Sequence, residues 1–295
     1  LVASGVVGVD EAVPMVMGAN VGTTVTAVLV SLAHMRRAQE FRRAFAAATV
    51  HDFFNILAVA VFLPFEIATG FLSRTATWIT DQVIGSSGAS FKSPLKEAVK
   101  MPAGWVRDLL EKLGAHGDVM GGLLIGIGVA FIFVALAFIT RNMRLLVADR
   151  VEVAINRALG AGSGMVAILI GMVITISVQS SSITTSVLVP LAASGVLTLE
   201  NIYPVTLGAN VGTTVTALLA SLATGSPAAV TVAIVHTLFN LSGIAVFYPV
   251  RALRNVPIRL ARGLADLVMD RRSMAVAYTV GMFVVVPLLG VLILR

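Results

Sequence analysis

Long apolar stretches separated by short polar connections dominate the sequence. A transmembrane helix needs about 20 mainly apolar residues to cross a bilayer core about 30 Å thick. Two further stretches are shorter and are interrupted by polar residues, which is typical of the broken helices at transporter sites. The pattern predicts an all-α, polytopic transmembrane protein with a re-entrant helix hairpin. The spanning stretches are Val13–Ala33, Ala44–Leu63, Val119–Thr140, Val205–Ala223, Ala228–Val250 and Met274–Leu294, and the short pair is Gly164–Val178 and Ile183–Leu199.

The chain also repeats itself. Residues 1–33 align without gaps on residues 191–223, with 20 of 33 positions identical. Both copies contain Gly-Ala-Asn-Val-Gly-Thr-Thr-Val-Thr-Ala, which runs from Gly18 to Ala27 and from Gly208 to Ala217. We expect the glycines of these runs (Gly18, Gly22, Gly208 and Gly212) to permit close helix approach or local unwinding. Two polar copies in corresponding halves predict one binding site shared by both repeats.

The arginines indicate how the repeats are oriented. Four arginines follow the first copy, whereas no charge lies in the loop after the second copy, so the positive-inside rule predicts that the copies are inverted in the membrane. Loops 34–43, 141–162 and 251–272 are predicted to be cytoplasmic, and loop 73–118 external. The predicted divisions are a first repeat (1–72), the external loop (73–118), a connecting span with a cytoplasmic amphipathic segment (119–162), a second repeat (163–250), and a basic loop with a final span (251–295).

Composition supports a membrane protein. Hydrophobic residues make up 57% of the chain and charged residues 12%, which is too little charge to cover a water-soluble surface. The net charge of +6 comes from basic loops and not from an aromatic-basic face, which argues against nucleic-acid binding. The chain has no cysteine, so disulfides and thiolate metal sites are excluded. The sequence predicts a multi-pass protein of the plasma (inner) membrane, and because Leu1 is not an initiating methionine, we expect the natural chain to begin earlier.

The densest polar cluster lies between the two short apolar stretches. Gln179 is followed by Ser180, Ser181 and Ser182, and further hydroxyls follow at Thr184, Thr185 and Ser186. Polar groups at membrane depth are costly unless they bond one another, a ligand or water. One interpretation is hydrogen bonding between helices. The density of the cluster, at a break in a repeat protein, favours a binding site.

Several motifs together resemble the type II sodium/phosphate cotransporter family, including its bacterial members. They are the Gln179–Ser182 run, the paired Gly-Ala-Asn-Val-Gly-Thr-Thr blocks, Phe41-Arg42-Arg43-Ala44-Phe45, Ala48-Thr49-Val50-His51-Asp52, Phe54-Asn55 and Pro257-Ile258-Arg259-Leu260-Ala261. The resemblance implies two inverted repeats that each carry a Gln-Ser-Ser-Ser motif and that import inorganic phosphate with sodium. Only the second motif is present here; the first is expected about ten residues before Leu1.

The residue types fit an anion bound together with a cation. No basic residue lies in the polar breaks, and hydroxyls with helix N-terminal amides cannot neutralise an anion in a low-dielectric site. We therefore expect Na⁺ as a coupling ion and no other cofactor. Ser180, Ser181 and Ser182 are the predicted phosphate contacts. The predicted sodium ligands or hairpin supports are Gln179, Asn210, Thr213, Thr214, Asn20, Thr23 and Thr24, with hydrogen bonding to the preceding helical turn as the alternative for each threonine.

A second polar group recurs in both halves. His51 and Asn55 match His236 and Asn240, whereas Asp52 has no acidic counterpart. These intramembrane residues are predicted supports of the site, and an intramembrane histidine or carboxylate is also a candidate for handling protons or sodium. The alternative is a neutral histidine bonded to a neighbouring helix, with Asn55 and Asn240 as candidate partners.

The sequence thus predicts a sodium-coupled phosphate symporter that works by alternating access. Its expected partners are phosphate, sodium and the lipid bilayer. A hydrolase is disfavoured because His51 and Asp52 are adjacent and diverge by about 100° around a helix. The open alternatives are a carrier of another oxyanion, an ion channel and a structural membrane protein. No enzyme activity is expected.

Overall fold

The computed structural model describes residues 2–84, 94–128, 130–131, 134 and 164–293, and in these residues the regular structure is entirely helical. Four helical stretches are long and apolar enough to cross a membrane: Val9–Leu32, Ala38–Thr69, Leu199–Thr224 and Pro227–Phe247. The all-α, polytopic class is therefore confirmed. The helices are α1 (Val9–Gly22), α2 (Val25–Leu32), α3 (Ala38–Thr69), α4 (Phe71–Ile84), α5 (Pro94–Lys112), α6 (Gly117–Gly128), α7 (Gly164–Val178), α8 (Ser181–Ser194), α9 (Leu199–Thr224), α10 (Pro227–Phe247), α11 (Arg251–Asp270), α12 (Ser273–Val280), a π-helical turn (Gly281–Val285) and α13 (Val286–Ile293).

Two segments predicted as loops are largely helical. The predicted external loop 73–118 contains most of α4 and all of α5. Helix α4 buries Leu72, Ala76 and Thr80. Within the predicted basic loop 251–272, α11 is amphipathic and buries apolar residues spaced for one helical face. Most of the predicted loop 141–162 and the end of the span Val119–Thr140 lie outside the described residues.

The two copies of the repeat run in opposite directions. The ion pairs Arg42–Asp266 and Arg262–Glu200 join the start of α3, the start of α9 and the end of α11 at one end of the molecule. The chain from α2 reaches that end through residues 33–37, so α1 and α2 run toward it and α9 runs away from it. At the opposite end, Thr231 at the start of α10 donates to Thr80 of α4. This antiparallel arrangement is what inverted repeats require.

Helices α7 and α9 touch at their backbones. A Cβ atom on Gly208 would collide with the carbonyl of Ile168, and one on Gly171 with the carbonyl of Val205. A Cβ atom on Gly212 would lie 2.6 Å from Cβ of Thr175. The predicted close approach therefore occurs at Gly208 and Gly212. It does not occur at the equivalent glycines, because Cβ atoms on Gly18 and Gly22 would meet nothing within 4 Å among the described residues.

Candidate functional site

The predicted polar cluster forms the tip of a hairpin between α7 and α8. Each of these helices has 14 or 15 residues and is therefore only about 22 Å long, too short to cross a bilayer core of about 30 Å. Gln179 has a φ of 56°, a left-handed conformation that strains a residue with a side chain. This residue turns the chain back on itself. Strain of this kind is concentrated at functional sites, which fits the predicted role of the break.

The tip carries hydrogen-bond donors at the start of α8. Ser180 is the N-cap of α8, and its hydroxyl accepts from the backbone N–H of Ile183 at 3.3 Å. The first N–H groups of a helix have no partner within it, so those of Ser181 and Ser182 remain available to an anion. The Ser181 side chain is 6% exposed and makes no hydrogen bond among the described residues. The predicted phosphate contacts therefore share one helix N-terminus.

The tip of the second repeat touches the first repeat where that repeat is broken. Ser182 Oγ donates to the backbone carbonyl of Thr23 at 3.2 Å. Thr23 and Thr24 separate α1 from α2, whereas the equivalent threonines lie inside the uninterrupted α9. The structure thus brings the Gln179–Ser182 run against the first Gly-Ala-Asn-Val-Gly-Thr-Thr block, as a shared site requires.

The four predicted threonines are all bonded to the preceding turn. Their hydroxyls donate to the backbone carbonyls of residues three or four positions earlier, at 2.7 to 3.1 Å. The structure therefore contains the hydrogen bonds to the preceding helical turn that were the alternative interpretation of these threonines. Each hydroxyl oxygen still has acceptor capacity, so back-bonding does not remove it as a cation ligand. The residues are Thr23, Thr24, Thr213 and Thr214.

Next to the tip, buried asparagines and histidines join the two repeats. Asn210 Nδ2 donates to Asn55 Oδ1 at 2.7 Å, and at the equivalent positions Asn20 Nδ2 donates to Asn240 Oδ1 at 3.0 Å. Asn20 Nδ2 also lies 3.3 Å from Asn55 Oδ1, and Asn55 Nδ2 donates to the Asn20 carbonyl at 2.8 Å. Each of these bonds joins the asparagine of a Gly-Ala-Asn-Val-Gly-Thr-Thr run to an asparagine on α3 or α10. Two of the bonds cross between the repeats, and two lie within the first repeat.

The histidines bond across the repeats. His51 Nε2 lies 2.6 Å from Asn210 Oδ1, and His236 Nε2 lies 3.4 Å from Asn20 Oδ1. The expected partners, Asn55 and Asn240, are thus wrong; the partners are Asn210 and Asn20. Because an amide oxygen only accepts, each Nε2 carries the hydrogen. Asn210 Oδ1 and Asn20 Oδ1 are therefore already engaged in hydrogen bonds.

Asp52 has a partner that the sequence did not identify. Its Oδ2 accepts from the hydroxyl of Tyr278 at 2.8 Å, while its Oδ1 is buried without a partner among the described residues. Asp52 is fully buried on α3, and Tyr278 comes from α12. The carboxylate therefore faces the C-terminal segment of the chain, and a lone tyrosine in an apolar stretch gave no signal of this contact.

The hairpin also has a hydrogen bond between its two arms. Thr175 Oγ1 on α7 donates to Thr184 Oγ1 on α8 at 3.0 Å, and both threonines are buried. Thr184 in turn donates to the backbone carbonyl of Ser180 at 3.1 Å. This chain of hydroxyls fixes the tip relative to both arms. The tip thus offers N–H and O–H donors at the start of α8 and carbonyl acceptors at the end of α7, the polarity needed to bind an anion beside a cation.

Comparison with known proteins relates part of the chain to a described family. Residues 131–260 match the family model described as Na+/Pi-cotransporter. This match contains the hairpin, its serine tip and all of the second Gly-Ala-Asn-Val-Gly-Thr-Thr block. Over residues 131–260 the chain is similar to the Na+/Pi-cotransporter family. The family is one of transporters and not of enzymes.

Similarity to curated relatives extends over almost the whole chain. The chain is 30% identical to the human sodium-dependent phosphate transport protein 2B, over 98% of this chain and 54% of the relative. It is 32% identical to the sheep protein 2A, over 97% of this chain and 56% of the relative, and 33% identical to the rat protein 2C, over 95% and 59%. The chain thus spans little more than half the length of these relatives. No solved structure gives a significant match to it.

Proposed function

We infer that this chain forms the core of a sodium-coupled symporter that imports inorganic phosphate across the plasma membrane. The observation that carries the proposal is the contact of Ser182 with Thr23, which brings the strained hairpin tip of one repeat against the broken helix of the other. The similarity of the chain to sodium-dependent phosphate transport proteins supports phosphate as the substrate and sodium as the coupling ion.

Phosphate binds at the start of α8 in this proposal. The amides and hydroxyls of Ser180, Ser181 and Ser182 contact its oxygens, and the positive end of the helix favours the anion. No Lys or Arg lies in the Gln179–Ser182 break or in either Gly-Ala-Asn-Val-Gly-Thr-Thr run. Sodium therefore supplies the positive charge that keeps phosphate bound in a water-poor site.

Sodium binds to the oxygen atoms around the tip. Na⁺ prefers hard oxygen ligands, which the threonine hydroxyls and the carbonyls near the broken helix provide. Gln179 adds a side-chain carbonyl, since it lies at the tip with its side chain exposed. Asn20 and Asn210 support this site through His236 and His51. The proposed ligands are Gln179, Thr23, Thr24, Thr213 and Thr214.

Transport follows an alternating-access cycle. The two repeats lie antiparallel and meet at the buried network of asparagines and histidines, so small rigid-body movements of one repeat against the other expose the shared site to opposite faces in turn. The buried network is the contact about which the repeats move. A channel would need a continuous polar path. The arms of the hairpin instead pack into apolar clusters that include Val178 of α7 and Val189 of α8.

The test is radiolabelled phosphate uptake into proteoliposomes containing the full-length protein. An inward sodium gradient is compared with a matched potassium gradient. We expect saturable uptake that needs sodium and falls about tenfold or more in Ser181→Ala, because a hydrogen bond to a charged ligand is lost. Ser194→Ala is the matched control, since that exposed serine at the other end of α8 donates to the Leu191 carbonyl.

Competition with unlabelled arsenate and sulfate identifies the oxyanion. Stronger competition by sulfate than by unlabelled phosphate would show that the preferred substrate is another oxyanion and not phosphate. Uptake that does not depend on sodium would contradict coupling, and equal uptake by Ser181→Ala and wild type would remove the hairpin tip from the site. Elution of the dye-labelled, detergent-solubilised protein from a size-exclusion column as one symmetric peak shows that each variant is folded.

A further inference from the structure

We propose a second anion site, for a phosphoryl group, at the end of the molecule where α3 and α9 begin. A cavity of about 390 Å³ opens there, within the usual size range of ligand pockets. Its polar lining includes three arginines and one carboxylate, contributed by α3, α9 and α11. These residues are Arg42, Arg43, Arg262 and Glu200.

Two of the three arginines are already paired. Arg42 bonds Asp266 of α11, and Arg262 bonds Glu200 of α9. The hydrogen bond from Arg42 holds the pKa of the Asp266 carboxyl below its usual range, so this pair stays charged at neutral pH. The pairs fix the three helices around the cavity, but they leave the third arginine without a counter-charge.

Arg43 is the unpaired cation. Among the described residues its guanidinium makes no hydrogen bond and no ion pair. It lies directly over Gly195, where a Cβ atom would collide with it, and Gly195 has a φ of 81° at the end of α8. A glycine is needed there on both grounds. Arg43 is exposed, and its guanidinium packs against the end of α8 at the cavity.

Arg43 is not required to cap α8. The backbone closes that helix end, because Gly195 N donates to the Ala192 carbonyl at 3.0 Å and Leu197 N donates to the Leu191 carbonyl at 3.2 Å. A guanidinium has five donors in a planar fork that matches two oxygens of a phosphoryl group. Among the described residues Arg43 pairs with no carboxylate, and it lines the cavity with these donors.

The start of α9 adds further donors. Its N-cap, Thr198, lines the cavity and makes no side-chain cap bond, so the first N–H groups of α9 have no capping partner there. The positive end of the helix and Arg43 then act on the same space. The ligand is a phosphoryl anion: either inorganic phosphate entering or leaving the transport path, or the headgroup of an anionic lipid.

Binding is measured on the full-length protein in nanodiscs without sodium, so that the proposed coupled site stays empty. The first arm uses nanodiscs of phosphatidylcholine alone and follows the broadening of the ³¹P resonance of added inorganic phosphate. The second arm uses nanodiscs containing phosphatidylglycerol and counts retained anionic lipids by native mass spectrometry. Arg43→Gln is compared with wild type and with Arg74→Gln, which removes an exposed arginine of α4 far from this cavity.

We expect Arg43→Gln to weaken binding in one arm by about tenfold, with Arg74→Gln unchanged. Loss in the first arm identifies inorganic phosphate, and loss in the second identifies a lipid headgroup. Equal binding by wild type and Arg43→Gln in both arms would overturn the proposal. The inference rests on the proposed function only for its link to transport. We expect Ser181→Ala to leave binding at this cavity intact. Failure of sodium-coupled uptake is therefore a separate result.

Discussion

His51 Nε2 lies 2.6 Å from Oδ1 of Asn210, so a histidine of the first repeat is bonded to an asparagine of the second. The equivalent pair, His236 and Asn20, is bonded the same way at 3.4 Å. Each repeat thus gives a histidine to the other and receives one in return. An exchange of this kind links the two repeats beside the hairpin tip that carries the proposed site.

The first prediction concerns the strength of this tie. Asn210→Ala leaves His51 Nε2 buried without its partner and removes the shorter of the two hydrogen bonds to Asn55 Oδ1, so we expect it to lower the free energy of unfolding by about 1–3 kcal/mol. His51→Phe should destabilise the protein by a similar amount. The double variant should be less destabilised than the sum of the two, with a coupling of about 0.5 kcal/mol or more. Thermal unfolding in detergent measures all three variants.

The equivalent pair is the internal control. His236→Phe and Asn20→Ala should couple more weakly, because the bond between those residues is longer. Additive effects at His51 and Asn210 would show that the short contact carries no energy of its own. Equal coupling in both pairs would mean that the difference in distance has no energetic consequence.

The sequence predicted the members of this network but not their pairing. The repeat marked His51, Asn55, Asn20 and their counterparts as equivalent, because identical residues at a fixed offset are visible in one chain. Which histidine meets which asparagine depends on how two antiparallel repeats pack, and no local pattern contains that information. The sequence suggested the repeated asparagines Asn55 and Asn240 as partners, whereas the packing of α3 against α9 brought Asn210 to His51.

The hairpin was predicted more closely. The stretch Gly164–Val178 coincides with α7, because it is continuously apolar and ends at a polar run. The partner Tyr278 of Asp52 was not predictable, since it is 226 positions away and lies in a stretch that otherwise indicates only a membrane span. α11 was not predicted as a helix because four arginines interrupt its apolar residues, although the buried apolar residues follow a helical period.

The second prediction separates backbone strain from ligand binding at Gln179. Gln179→Gly removes the cost of a left-handed conformation, so the protein should become no less stable and gain up to about 1 kcal/mol. If the side-chain carbonyl binds sodium as proposed, uptake should nevertheless fall and its half-saturating sodium concentration should rise. Thermal unfolding and sodium-dependent uptake are measured on the same preparation.

Gln179→Asn is the control for this test, because asparagine tolerates the left-handed region and keeps a shorter carboxamide. It should retain more uptake than Gln179→Gly. Unchanged uptake by the glycine variant would assign Gln179 to the turn alone. A large loss of stability in that variant would contradict the strained conformation itself.

The third prediction tests the contact between α7 and α9. Gly208→Ala adds a methyl group where the Ile168 carbonyl already lies, so the helices must separate. Overpacking of this kind costs about 1–3 kcal/mol or more, and the hairpin tip should shift with α7. We expect a lower unfolding temperature together with reduced uptake. Gly263→Ala on α11 is the matched control, because nothing lies within 4 Å of its Cβ position and alanine favours the helix.

The last prediction concerns the hydrogen bond that joins the hairpin arms. Thr175→Val keeps the shape of the side chain but removes the donor to Thr184, so we expect a loss of about 1 kcal/mol in the free energy of unfolding. Because Thr184 also bonds the Ser180 carbonyl, the tip should become less well positioned and the Michaelis constant for phosphate should rise. Ser177→Ala, on the exposed face of the same helix, removes only a bond to the Val173 carbonyl and should change neither quantity. If Thr175→Val lowers stability but leaves the Michaelis constant unchanged, the hydroxyl chain holds the hairpin together without positioning its tip.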